Sequence, residues 1–101
     1  MNENERNDYL VAFGRRVRYY REKLGMTQKE LGVRAGYTDG TNPSASISKI
    51  ELGQMDVTQT KCAELAAALH VEPYELITSP TVARLVKYAE LMQKGGADVD
   101  I

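Results

Sequence analysis

Apolar residues recur along this chain at helical spacing, with polar positions between them. Phe13, Val17, Tyr20 and Leu24 fall at i, i+4, i+7 and i+11, one stripe of an amphipathic helix running from about Asp8 to Leu24. Gly25 stops it. A second helix is predicted over Thr27–Ala35. Thr27 and Glu30 have the spacing of a capping box, in which each side chain satisfies the other's backbone N–H, and Leu31 and Ala35 share a face. Gly36 ends it. A third runs through Ile47–Leu52, with Ile47 and Ile50 on one side and Gly53 as its stop. Thr58 is an N-cap for a fourth, whose face carries Cys62, Leu65, Ala66 and Leu69. A short fifth starts at Glu72 or Pro73 and reaches Ile77. After Ser79 and Pro80, the residues Val82, Leu85, Val86, Ala89 and Met92 make a further stripe that lasts to about Lys94, where Gly95 and Gly96 end it. No strand pattern or repeat interrupts this order.

The pattern therefore predicts an all-α protein. Residues 1–7 form a loose polar start, 8–78 a five-helix domain, 79–94 an appended helix and 95–101 a disordered tail. At 101 residues, with 43% apolar and 27% charged positions, the chain suits one small ordered domain. No apolar run approaches a membrane span, and the start M-N-E-N-E-R is not a signal peptide. The single cysteine excludes an internal disulfide, so a reducing, cytoplasmic setting is expected.

Charge changes the picture more by its distribution than by its sum. The net charge is −1. Residues 6–61 nevertheless carry ten Lys/Arg against six Asp/Glu, whereas residues 62–101 carry three against six. The basic half could face a polyanion and the acidic half solvent or a second subunit. Ordinary solvated helix faces would show the same counts.

Two short amphipathic helices in succession between Met26 and Gly53 describe a helix-turn-helix, whose second helix enters a DNA major groove. Four blocks carry a closer likeness: F-G-R-R-V-R-Y-Y-R-E-K-L-G-M-T-Q (13–28), K-E-L-G-V-R-A-G (29–36), I-S-K-I-E-L-G (47–53) and L-A-A-A-L-H-V-E-P-Y-E-L-I (65–77). In their order the chain resembles the phage-repressor (Cro/repressor, or XRE) family, and hence a lambda-repressor-like DNA-binding domain. It departs between Gly36 and Ile47, where Tyr37–Ser46 (Y-T-D-G-T-N-P-S-A-S) is longer than the family's usual turn. Asp39-Gly40 is a turn signal, and Asn42-Pro43 suits the N-cap and first residue of the reading helix. The insertion either touches the DNA backbone or is a tolerated surface loop.

The resemblance places base contacts on Ser44, Ala45, Ser46, Ser48 and Lys49. Serine hydroxyls can donate or accept at base edges, the Ala45 methyl can meet a thymine methyl, and Lys49 can donate to guanine. The serines could equally serve only to cap the helix. It also places Gln28 against a phosphate at a helix N-terminus, where partial positive charge collects. Lys29, Arg16, Gln54 and Lys61 are further phosphate candidates. In similar proteins the arginine at position 21 pairs with the glutamate at 51; an arginine fork fits a carboxylate bidentately, and this pair would fix the angle of the reading helix rather than touch a base.

An enzyme is not expected. One histidine and one cysteine, eight positions apart, make no nucleophile–base set, and neither metal-ligand spacing nor a phosphate loop is present. Cys62 reads as a small buried hydrophobe and His70 as a helix-terminus residue that caps carbonyls. The expected function is sequence-specific duplex DNA binding as a homodimeric transcriptional regulator, a repressor in the first instance, with no cofactor, membrane or small-molecule substrate. Restriction–modification controllers and antitoxins share the domain. A protein-interaction module is the rival. The stripe Val82, Leu85, Val86, Ala89 and Met92 would serve a dimer contact or dock on its own domain, with Tyr74 and Ile77 as secondary interface positions.

Overall fold

The computed structural model describes residues 2–38, 40, 42–78 and 88–93. Five helices pack around one core: α1 (Glu3–Lys23), α2 (Gln28–Arg34), α3 (Pro43–Glu51), α4 (Gln59–Ala68) and α5 (Pro73–Ile77). A sixth helical stretch, α6, covers residues 88–93. No strand occurs among the described residues.

Local signals set most of the boundaries. The Thr27 hydroxyl accepts from the Glu30 N–H at 3.0 Å, and the Glu30 carboxylate accepts from the Thr27 N–H in return. Asn42 caps α3 by accepting from the Ala45 N–H at 3.2 Å, with Pro43 in the first turn, where its missing N–H costs nothing. Thr58 caps α4 by accepting from the Lys61 N–H at 3.1 Å. Glu72 and Glu75 close a capping box on α5, the Glu75 carboxylate accepting from the Glu72 N–H at 2.7 Å.

The core takes Phe13, Val17 and Tyr20 from α1, Leu31 from α2, Ile47 and Ile50 from α3, Leu65 and Ala66 from α4, and Leu76 from α5, together with Ala35 and Leu69 at helix ends. Three expectations are corrected. The chain is helical from Glu3, not loose to residue 7, because Asn2 accepts from the Glu5 N–H at 2.9 Å and two glutamates occupy the first turn, where the helix dipole favours them. Leu24 leaves the apolar stripe: it is the exposed C-cap of α1, and Met26 takes the buried place beyond the turn at Gly25. Cys62 is half-buried rather than enclosed. His70 does cap a helix end, but through its backbone: with φ of 59° its N–H donates to the Ala67 carbonyl at 3.2 Å, and the ring is exposed.

Two glycines let helices touch. A Cβ on Gly14 of α1 would sit 2.2 Å from the Ile50 carbonyl oxygen of α3, and one on Gly32 of α2 would sit 2.5 Å from the Pro43 carbonyl oxygen. Glycine at both places brings α3 onto α1 and α2 at backbone distance. Of the C-terminal stripe, Val82, Leu85 and Val86 lie outside the described residues, as do Asp39, the start of that stretch and the tail.

Candidate nucleic-acid interface

The orientation of α3 is held by one carboxylate. Glu51, at 8% exposure, ends this helix on its inner side. Arg21 of α1 donates from Nε to Glu51 Oε2 at 2.6 Å and from Nη2 to Oε1 at 3.1 Å, a bidentate fork. Its remaining nitrogen, Nη1, donates to the Met26 carbonyl at 2.9 Å. Gln28 Nε2, at the start of α2, adds a third donor to Glu51 Oε1 at 3.1 Å. The carboxylate therefore ties α1, α2 and α3 together at one point. The hydrogen bonds that Arg21 donates to Glu51 raise its pKa above the ordinary value, against the opposing effect of burial. A buried carboxylate needs such paired donors to offset the loss of its water.

The opposite side of α3 is open. At about 100° per residue, Ala45 and Lys49 lie across the helix from the buried pair Ile47 and Ile50. Ser44 and Ser48 occupy one shoulder and Ser46 the other. Lys49 is exposed, and Ser44, Ala45, Ser46 and Ser48 are half-exposed. The face is small and polar, with one cation at its centre, so a groove floor could approach it without a bulky side chain in the way.

The expected phosphate residues divide. Lys29 and Gln54 are exposed, on α2 and just after α3. The side-chain amide of Gln28 turns inward to Glu51 instead of outward. Arg16 donates from Nη1 to the Leu76 carbonyl at 3.3 Å, at the C-terminal end of α5. Lys61 is drawn inward as well: its Nζ donates to the Ala35 carbonyl at 2.6 Å, lies 3.3 Å from Glu64 Oε1 and sits 4.4 Å from the centre of the Tyr37 ring. Arg16 and Lys61 thus serve as cations at helix C-termini, where unpaired carbonyls and the negative end of the dipole favour them. Sequence reading missed Tyr37, which stacks under Lys61 and anchors the start of the long turn. Burial, and secondarily Glu64, push its phenol pKa upward. An aromatic directly after the helix-ending Gly36 is a weak signal, and nothing local shows that Lys61 would reach it.

A profile of the helix-turn-helix family matches residues 17–76, more than half of the chain. The chain belongs to this family. It is a DNA-binding transcription regulator of the XRE type, and its all-helical architecture is that of a lambda-repressor-like domain. Among solved structures it is similar to the restriction-modification controller protein C.AhdI from Aeromonas hydrophila, at 34% identity and a TM-score of 0.59 over 66% of this chain and 94% of that one. No curated protein matches it. No helix among the described residues is long and apolar enough to cross a membrane. The matched region begins at Val17 within α1 and stops at Leu76 within α5. The N-terminal half of α1 and α6 fall outside it.

Proposed function

We propose that this protein binds a specific duplex operator as a homodimer and represses transcription by occupying it. The observation that carries the reading is the pose of α3: one side locked to α1 and α2 through Glu51, the other presenting Lys49 between small polar residues. Lys49 donates to a guanine edge, with Ser44, Ala45, Ser46 and Ser48 setting the fit around it. Lys29, Gln54 and the N-terminal end of α2 at Gln28 meet phosphates and set the register. One module reads too few base pairs to find a single site, and two related by a two-fold axis double the base contacts. Such a dimer reads an inverted repeat with half-site centres about 34–36 Å apart. The work is done by binding alone, in the compartment that holds DNA, the cytoplasm, with no cofactor.

The likeness to C.AhdI favours one variant within this class, a controller acting in a restriction–modification setting. Both variants require operator binding, so one experiment tests them together. The protein is incubated with a pool of random duplexes, and the retained DNA is sequenced. An enriched inverted repeat is the expected result. Retention of all sequences alike, or of none, would instead point to a protein-interaction module built on the same fold.

A further inference from the structure

Both ends of the long turn between α2 and α3 bear on one residue, Gly32. Its carbonyl accepts from the Tyr37 N–H at 2.9 Å; with the bond from the Gly36 N–H to the Val33 carbonyl at 3.1 Å, this ends α2 in a Schellman motif. The same Gly32 is where Pro43, the first residue of α3, meets α2 at backbone distance. The start of α3 is therefore held only as firmly as the last turn of α2 keeps its shape. Lys61 braces that turn from α4. It donates to the Ala35 carbonyl at 2.6 Å, and its Nζ lies 4.4 Å from the centre of the Tyr37 ring and 3.3 Å from Glu64 Oε1. For α4 itself the charge is badly placed, since Lys61 sits in the first turn, where the helix dipole disfavours a cation. Its partners at the end of α2 account for its position.

We propose that Lys61 is a positioning residue for base selectivity: by bracing the end of α2 through Ala35 and Tyr37, it fixes the N-terminal end of α3, where Ser44 and Ala45 lie, without touching DNA. The role rests on the operator reading above and adds to it a residue outside the reading helix. Two holds act on α3. Near its C-terminal end, Glu51 ties it to α1 and α2. At its N-terminal end the hold is the contact of Pro43 with Gly32, which depends on the turn that Lys61 braces. Loosening the second hold lets α3 tilt about the first. Lys49, close to Glu51 in the same helix, then moves little. Ser44 and Ala45 lie roughly 9–10 Å from Glu51 along the axis, and a tilt of about 10° shifts them by about 1.5 Å or more. That is enough to break a hydrogen bond to a base edge.

The test compares the unsubstituted protein with Lys61→Met, which keeps an unbranched stem and removes the charge, and with Lys61→Arg, which keeps a donor and a cation to stack on the Tyr37 ring. Each is put through selection from the random duplex pool. Each is then titrated, below its own melting temperature and over a range of salt, on the selected operator and on a random duplex. Lys61→Met should lose about tenfold in the ratio of the two affinities, within the worth of one base contact. Its selected sites should relax at the base pairs that Ser44→Ala or Ala45→Gly also relax, and should keep the pair that Lys49→Ala relaxes. Its salt slope should match that of the unsubstituted protein, because Lys61 neutralises no phosphate. Lys61→Arg should restore most of the ratio. Tyr37→Leu should repeat the pattern of Lys61→Met, and the double variant should lose less than the sum of the two. Three results would overturn the role. A salt slope shallower by about 0.9 per protomer makes Lys61 a phosphate contact. An affinity ratio and selected sequence that stay intact, whatever the melting temperature, make it a structural residue only. Relaxation confined to the pair read by Lys49 puts the pivot at the wrong end of α3. A selection in which the unsubstituted protein enriches nothing removes the operator reading, and this role with it. Enrichment by the unsubstituted protein together with any of the three removes this role alone.

Discussion

Replacing Arg21 by alanine would leave the Glu51 carboxylate at 8% exposure with the Gln28 amide but without its ion-pair partner. Breaking a buried pair from one side costs about 3–5 kcal/mol, and urea unfolding should show a loss of that order. Arg21→Lys should recover part of it, because an ammonium keeps the charge but not the two-pronged geometry. Lys49→Ala should act on a different quantity. Stability should hold, while discrimination at one base pair falls by about 1–3 kcal/mol, read by repeating the binding selection with the variant. An unchanged preference would remove Lys49 from the reading set. Cys62 gives a pH signature. Burial raises its thiol pKa above the ordinary 9.0, so above that pH the unfolded chain sheds its proton more readily than the folded one. The folded state then binds more protons, and stability should fall as pH rises past 9.0. Cys62→Ala should flatten this fall relative to the unsubstituted protein.

Among the elements, α3 owes its place to what is missing from its neighbours. Gly14→Ala would drive a methyl group into the Ile50 carbonyl, and backbone cannot move aside as a flexible side chain can. Overpacking of this kind costs about 1–3 kcal/mol. Operator affinity should fall further than stability alone explains, because the reading helix must tilt or retreat. Tight operator binding by Gly14→Ala would show that the angle between α1 and α3 is not critical. The end of α4 offers the opposite sign. His70 holds a φ of 59° with its ring exposed, a conformation that costs a side-chain-bearing residue about 1–2 kcal/mol. His70→Gly should therefore raise the melting temperature, the relief of strain outweighing the extra freedom glycine brings to the unfolded chain.

For the molecule as a whole, the net charge of −1 conceals a basic reading half and an acidic remainder. Operator affinity should fall steeply with salt, in a slope that counts the phosphates neutralised by both protomers, about 0.9 per contact. Removing residues 79–101 should lower dimer stability and weaken binding to the full inverted repeat more than binding to one half-site. A truncated protein that stays dimeric at low concentration and binds the full operator normally would contradict the dimer contact expected of the stripe Val82, Leu85, Val86, Ala89 and Met92.

The sequence by itself determined those features whose causes lie within one turn of the chain. The caps at Thr27, Asn42 and Thr58 are contacts three residues long, and the stops at Gly25, Gly36 and Gly53 follow from their positive φ. The stripes holding Val17, Leu31, Ile47 and Leu65 follow from helical periodicity. These local rules were enough to order five helices and to find the reading pair. Tertiary structure decided whatever depends on which distant groups meet. Lys61 and Arg16 look in sequence like cations awaiting a phosphate, yet they cap carbonyls 26 and 60 positions away. Gln28 turns to Glu51 across 23. Leu24 fits the stripe of α1 by spacing but falls where that helix ends, and Met26 is buried because the chain has turned back. Periodicity fixes a direction around one helix axis; only the packing of several axes decides what lies in that direction.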